Sequence, residues 1–198
     1  MPTGGREKTL NLNFFCTYAV LKPYCRKEDG HMDGEVGIRK AYEYILKGDY
    51  EQAVRWFEAA ILADPGNADY YYKCSITCAR SGKWAKALAY AEEAVLLDEH
   101  SNVYQLHLHT VQSKQLIIEA SLIIEEASGE LEEPVRLLQE ALRLDPLSED
   151  AYLLLGAIYG EAGFDELAVK NFTMVLGLNP QHTEAIDRLA YYEGKRRT

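Results

Sequence analysis

The sequence predicts an all-α fold: a solenoid of about four helix pairs followed by a capping helix at its C-terminal end. Three observations lead to this prediction. Related segments recur at a constant interval, small and apolar side chains recur at helical spacing within them, and glycine or proline stands at corresponding places between them. A constant period of roughly 20 to 50 residues is typical of solenoids, in which each repeat packs against its neighbours.

The period is visible without any alignment to other proteins. The segment Lys-Gly-Asp-Tyr-Glu-Gln-Ala at 47–53 recurs as Ser-Gly-Lys-Trp-Ala-Lys-Ala at 81–87, which gives a period of about 34 residues. Pro146 and Pro180 are one such period apart. Pro65 and Pro146 are separated by two periods and a remainder of about 13 residues. One repeat therefore carries an insertion of that length.

Each repeat has the side-chain pattern of two packed helices. Apolar and small residues recur three and four positions apart, as in Ala53, Phe57 and Ala60, which is typical of an amphipathic helix. Small residues at intervening places let two helices approach closely; these are Ala41, Gly156 and Ala168. Glycines fall between the two helices of a repeat, where a turn needs their conformational freedom; these are Gly48, Gly82 and Gly163.

The stretch 149–182 resembles the tetratricopeptide repeat, whose pattern runs W-x2-L-G-x2-Y, then A-x3-F, then P. Tyr152 stands in the tryptophan place. The positions that match the rest of the pattern are Leu155, Gly156, Tyr159, Ala168, Phe172 and Pro180. The stretches 34–67 and 68–101 match less completely, and 102–148 carries the insertion. The resemblance implies a right-handed α-solenoid that binds other proteins.

The same frame divides the chain into segments. Residues 1–33 do not fit the repeat and are either a weakly attached extension or a segment that folds back over the first helix. Met32 is a possible original start of the domain. The predicted domain at 34–193 consists of repeats 34–67, 68–101, 102–148 and 149–182 and a cap at 183–193, with a tail at 194–198.

The insertion predicts that the first helix of the third repeat is elongated, from about residue 102 to about residue 127, since glycine first occurs at Gly129. At 1.5 Å per residue this helix is about 39 Å long. Its apolar surface is wide enough to predict a homodimer, unless the second helix of the repeat, with Leu131, Val135 and Leu138, covers it. The residues of this surface are Leu116, Ile117, Ile118, Leu122, Ile123 and Ile124.

Composition argues against several classes of partner. The formal net charge is −10, from 31 acidic and 21 basic residues, so we expect no binding to nucleic acid or to anionic membranes. No apolar run reaches the roughly 18 residues of a membrane span, and the run from Leu10 to Leu21 lacks a signal-peptide cleavage site. The four cysteines form no disulfide framework, which favours the cytoplasm.

The sequence contains no recognisable catalytic or metal-binding pattern. Phosphate-binding and nucleophile motifs are absent, so we expect neither enzymatic activity nor a cofactor. Cys74 and Cys78 lie four apart with no second pair at zinc spacing, so we interpret them as buried packing residues. His107 and His109 lie two apart and point in different directions on a helix, so they cannot chelate a metal together.

The resemblance therefore implies a binding surface, because the first helices of tetratricopeptide repeats line a concave groove in which ligands bind. The corresponding residues here are Ile38, Arg39, Tyr42, Tyr72, Lys73, Ile76, Arg80, Leu106, His107, Lys114 and Leu153. Cations cluster among them although the chain is acidic, which predicts a ligand with acidic and apolar residues. The predicted function is a protein-interaction module; the alternatives are a self-associating structural subunit and a peptide-sensing regulatory domain.

Overall fold

The structure, a computed structural model, describes residues 33–126 and 131–195. Within those two ranges it contains nine α-helices and no strand, which confirms the predicted all-α fold. The helices are α1 (Gly34–Leu46), α2 (Tyr50–Ala63), α3 (Ala68–Arg80), α4 (Trp84–Leu97), α5 (Asn102–Glu126), α6 (Glu132–Leu144), α7 (Glu149–Glu161), α8 (Asp165–Leu178) and α9 (Thr183–Lys195).

The chain forms two compact bodies, which meet in sequence between Glu99 and His100. The N-terminal body contains α1 to α4 and the C-terminal body contains α5 to α9. The N-terminal extension with Cys16 and Cys25, the signal-like run and Gly129 lie outside the described residues. The helix α9 continues to Lys195, two residues beyond the predicted end of the cap.

Short polar side chains and glycines set the helix boundaries. Asp49 and Ser148 cap their helices by accepting hydrogen bonds from the backbone N–H of Gln52 (3.0 Å) and of Ala151 (3.4 Å). The three glycines predicted between paired helices all have positive φ, a conformation that costs other residues free energy; the angles are 76° at Gly48, 73° at Gly82 and 79° at Gly163. The sequence therefore ends one helix and begins the next within a short turn.

Paired helices approach each other closely at small residues, both at the predicted Gly156 and at Gly37, which was not predicted. A Cβ atom added to Gly37 would lie 3.0 Å from the Cβ of Ala60, and one added to Gly156 would lie 2.8 Å from the Phe172 ring. Ala168 is fully buried in the same pair as Gly156. Larger side chains at these places would separate the helices or leave their rotamer wells, since protein interiors are close-packed.

The elongated helix is observed: α5 has 25 residues, whereas the other described helices have 13 or 14. Its extension packs within the C-terminal body, where Ile117 is buried in one core with Leu137 and Leu138 of α6. Other residues of the extension are partly buried against that core; they are Leu116, Ile123 and Ile124. Leu122 is 53% exposed. The second helix of the repeat thus covers most of the apolar surface.

A second core joins α9 to the last helix pair. The Tyr192 ring stacks on Phe172, with ring centroids 6.1 Å apart and an interplanar angle of 17°. A Cβ atom added to Gly160 would lie 1.9 Å from the Tyr192 hydroxyl oxygen, so this glycine makes room for the ring. Tyr192 therefore docks the capping helix together with the buried Ala185, and Gly160 provides the space for its ring.

We predict that Ala168→Asp destabilises the protein by about 3–5 kcal/mol, because it places an unpaired charge in a fully buried contact. The matched control is Ala190→Asp, an exposed alanine on α9, which should cost less than about 1 kcal/mol. Thermal unfolding followed by circular dichroism measures both. A midpoint for Ala168→Asp indistinguishable from that of the parent would contradict the helix pairing described above.

Candidate functional site

One face of the N-terminal body brings predicted binding residues from α1 and α3 together. The Lys73 ammonium of α3 lies 5.9 Å from the ring centroid of Tyr42 on α1, a cation–π distance. The Tyr42 ring is held edge-on by Phe57, with centroids 5.9 Å apart at 84°, yet 45% of the tyrosine stays exposed. This face therefore presents an aromatic ring of fixed orientation, with a cation beside it.

Ion pairing reduces the positive charge that the sequence placed on the predicted groove. Lys73 Nζ lies 2.5 Å from an Asp69 carboxylate oxygen. Burial lowers the pKa of Lys73, but the hydrogen bond and charge of Asp69 outweigh it and raise that pKa. Lys114, in the C-terminal body, pairs with Asp150. In the part of the chain that the structure describes, Arg39 and Arg80 are exposed and form no ion pair.

The remaining predicted groove residues differ in exposure. Ile38 is 7% exposed and lies in the core, so it packs between helices instead of lining an open surface. Tyr72 and Ile76 are half-buried on α3. In the C-terminal body Leu106 is exposed, whereas the half-buried residues are His107, Lys114 and Leu153. Burial lowers the pKa of His107, so this side chain takes up its proton below the usual range.

A buried polar cluster in the N-terminal body was not predicted from the sequence. Glu58 on α2 is only 6% exposed and accepts hydrogen bonds from Tyr90 Oη (2.8 Å) and Lys86 Nζ (3.1 Å) on α4. Burial holds the pKa of Tyr90 well above its usual value, so its hydroxyl remains a donor. The spacing of residues along one helix does not reveal such a cluster, since its members lie on separate helices.

Cys74 and Cys78 are buried free thiols beside this cluster. Burial, and a side-chain hydrogen bond with Cys78, raise the pKa of Cys74. That bond and the nearby Lys86 ammonium lower the pKa of Cys78. Among the described residues no three histidine, cysteine or acidic side chains are grouped as metal ligands would be.

The C-terminal body contains a groove of about 410 Å³ between α6, α7 and α8. Sequence reasoning missed it because the groove is defined by side chains from three helices. Its distinctive residues are Gln139, Lys170 and Asn171. A comparison of the repeats position by position could have pointed to it, because such a comparison shows where a large or charged side chain is replaced by a smaller or uncharged one.

The fold and the surfaces described above indicate a class of protein. The two bodies are built from stacked helix pairs, and their distinctive features are surfaces and grooves. No helix in the described ranges is long and apolar enough to cross a membrane. The class is that of helical-repeat proteins, in which a short unit is repeated and the outer faces are free to differ.

A family model of the tetratricopeptide repeat matches residues 38–102 of the chain. The chain is 32% identical over 72 residues to DnaJ homolog subfamily C member 7 from Mus musculus. That match covers 36% of this chain and 15% of the mouse protein. The chain thus spans a small part of the length of this relative.

One solved structure has a similar fold. A MamA fragment from Desulfovibrio magneticus RS-1 is 15% identical, with a TM-score of 0.50 over 83% of this chain and 85% of that one. Another MamA crystal structure is 23% identical, with a TM-score of 0.49 over 82% of each chain. Identity at this level shows the fold alone. The tetratricopeptide-repeat fold is a scaffold for interactions between proteins.

We predict that His107 makes stability fall as the pH decreases below 6.5. Because burial lowers its pKa in the folded state, the unfolded chain binds more protons there, and protonation favours unfolding. Each pH unit costs at most about 1.4 kcal/mol per such group. Urea unfolding at pH 7.5 and 5.5 should show a smaller loss for His107→Gln than for the parent. His109→Gln, exposed on the same helix, is the matched control, and equal losses in all three proteins would contradict the prediction.

Proposed function

We propose that the chain is a non-enzymatic interaction module whose N-terminal body binds a peptide segment carrying acidic and apolar residues. The observation that carries this proposal is the face formed by α1 and α3, where Tyr42 is exposed beside Lys73. Arg39 lies one turn before Tyr42 on α1, and Arg80 ends α3. We call this surface, with the half-buried Tyr72 and Ile76, the α1–α3 face.

Each part of the α1–α3 face favours a different part of such a ligand. Rings with polar tips, here Tyr42 and Tyr72, lose little conformational entropy on binding and contribute strongly at interface centres. Ile76, half-buried on the same helix as Tyr72, supplies apolar area. Since Lys73 is already paired with Asp69, electrostatic attraction of an acidic segment falls to Arg39 and Arg80. The proposed ligand therefore has an apolar centre and acidic residues toward its ends.

We also propose that the protein is located in a reducing compartment such as the cytoplasm. Cys74 and Cys78 are free thiols inside the N-terminal body, and an oxidising compartment favours disulfides. The two thiols also lie in the same body as the proposed ligand surface, so their packing supports the position of α3.

The test uses peptides selected from a random library on the immobilised full chain. Selected sequences should combine aspartate or glutamate with apolar residues. Against one such peptide, Tyr72→Ala should weaken binding by about 1–3 kcal/mol. The double variant Arg39→Gln/Arg80→Gln should slow association, and its rate should depend less on salt than that of the parent. Stopped-flow fluorescence at two ionic strengths measures both effects.

The matched control is Lys83→Gln, which removes a cation of the same body that is already paired with Glu51 at 2.8 Å. This variant should bind at the parent rate. Selected peptides without acidic residues, or unchanged kinetics in the double arginine variant, would contradict the α1–α3 face as the site. The fold should survive these substitutions because the replaced side chains are exposed or half-buried.

A second candidate function is self-association through the extension of α5. One observation favours it: Leu122 is 53% exposed although its neighbours on the extension pack inward. The apolar area left open is small, because Ile117 is buried and Leu116, Ile123 and Ile124 pack against the core. This candidate therefore ranks below peptide binding.

Light scattering on the full chain separates the two candidates. A monomer has a mass of 22.4 kDa, which is the result we expect at micromolar concentration because α6 covers the extension. A species of twice that mass that Leu122→Gln converts to the monomer would instead favour self-association. The control is Leu147→Gln, an exposed leucine between α6 and α7.

A further inference from the structure

The groove of the C-terminal body lies between the second helix of the third repeat, α6, and both helices of the fourth, α7 and α8. It has a volume of about 410 Å³, within the usual range for ligand sites. Its lining combines rings and aliphatic groups with two amides and one ammonium. The lining residues used below are Gln139, Tyr152, Leu167, Lys170, Asn171 and Met174.

In the N-terminal body the equivalent space, between α2 and α4, is filled by side chains of the protein itself. Pro65 of the first repeat corresponds to Pro146 of the third. With the same shift in numbering, Glu58 corresponds to Gln139 and Tyr90 corresponds to Asn171. Glu58, 6% exposed, accepts hydrogen bonds from Tyr90 and from Lys86, so the space between α2 and α4 holds a carboxylate, an ammonium and a ring. The repeat architecture therefore accommodates a carboxylate between two successive second helices.

The C-terminal body has neither this carboxylate nor this ring. Gln139 is uncharged and exposed, and its amide nitrogen donates to the Tyr159 hydroxyl over 3.4 Å. Asn171 is shorter than a tyrosine by an aromatic ring, and the groove stays open. The space that Glu58 and Tyr90 occupy in one body is thus available to a ligand in the other.

The groove has a cation of its own, at a different position from Lys86. Lys170 is exposed on α8 and forms no ion pair among the described residues, although Glu166 lies one turn before it. Every other lysine and arginine in the described part of this body is paired with a carboxylate; these are Lys114, Arg136, Arg143, Arg188 and Lys195. A single unpaired ammonium beside an open groove favours an anionic ligand.

A buried amide adds a second point of recognition. Asn171 is 8% exposed, and its Nδ2 donates to the Leu167 carbonyl oxygen over 2.8 Å. Its Oδ1 accepts no hydrogen bond from the described residues, which leaves an acceptor at the groove. Leu167 and Met174 are each 41% exposed and form an apolar wall beside it.

We propose that this groove binds an extended segment of a partner protein through an aspartate or glutamate side chain. The carboxylate pairs with Lys170, a backbone N–H of the segment donates to Asn171 Oδ1, and a neighbouring apolar side chain packs on Leu167 and Met174. The site is separate from the α1–α3 face and lies in the other body, so either can fail without the other. Residues 1–32 of this chain carry five basic and three acidic residues, a charge that suits Lys170 poorly.

The test is an NMR titration of the full ¹⁵N-labelled chain with two tripeptides blocked at both ends. The probe is acetyl-Leu-Asp-Leu-amide, and its neutral counterpart is acetyl-Leu-Asn-Leu-amide. Amide shifts should saturate on α7 and α8, with the aspartate peptide binding about 3–5-fold more tightly than the asparagine peptide. Lys170→Gln should abolish that ratio and Lys170→Arg should keep it, whereas Arg188→Gln, which removes a paired cation, should leave it unchanged.

One further variant, with two substitutions, fills the groove with the side chains that the N-terminal body has there. Asn171→Tyr and Gln139→Glu together recreate the arrangement of Tyr90 and Glu58, and should prevent saturable shifts without lowering the melting midpoint. If this double variant unfolds, Lys170→Gln alone decides the question, because Lys170 is exposed.

The inference would be overturned by the absence of saturable shifts, by equal binding of the two tripeptides, or by a ratio that survives Lys170→Gln. Shifts confined to α1 and α3 would also overturn it, while supporting the α1–α3 face. Loss of the ratio only in Lys170→Gln and in the filled variant would establish the groove as an acidic-segment site.

Discussion

The two helices of a pair come into near backbone contact at a few glycines and alanines. The packing of the larger side chains around these points depends on that close approach. At Gly37 and Gly156 a single added carbon would touch the neighbouring helix. A contact this tight fixes the distance between the two axes of a pair and leaves the larger side chains to fill the spaces farther out. Because small residues occupy the contact, the large ones determine how one pair differs from the next.

The spaces between second helices illustrate this division. In the N-terminal body the space is closed by Glu58, Lys86 and Tyr90. The hydrogen bonds that Lys86 and Tyr90 donate offset the cost of removing the Glu58 carboxylate from water. In the C-terminal body Gln139 and Asn171 stand at the equivalent positions and a groove remains. One backbone arrangement therefore serves as packed core in one place and as a recessed surface in another, with only a few side chains deciding which.

Electrostatics in this acidic chain is decided locally. Most described cations already have a carboxylate partner, so net charge says little about what a surface attracts. Exposed cations without such a pair, among them Arg39 and Arg80 in one body and Lys170 in the other, are placed to meet an acidic ligand. A pattern of cations in the sequence cannot show which of them are paired, since partners such as Lys114 and Asp150 come from different helices.

The sequence by itself determined the helix pairs, their glycine turns and the elongated α5, because these follow from local spacing and backbone preference. The constant period placed Gly48, Gly82 and Gly163 at turns where φ is positive. Only the tertiary structure decided which side chains stay open: it buried Ile38, covered most of the α5 extension with α6, and left the groove at Lys170. Exposure depends on which helices meet and how far apart they lie, and the period of a repeat carries no information on that.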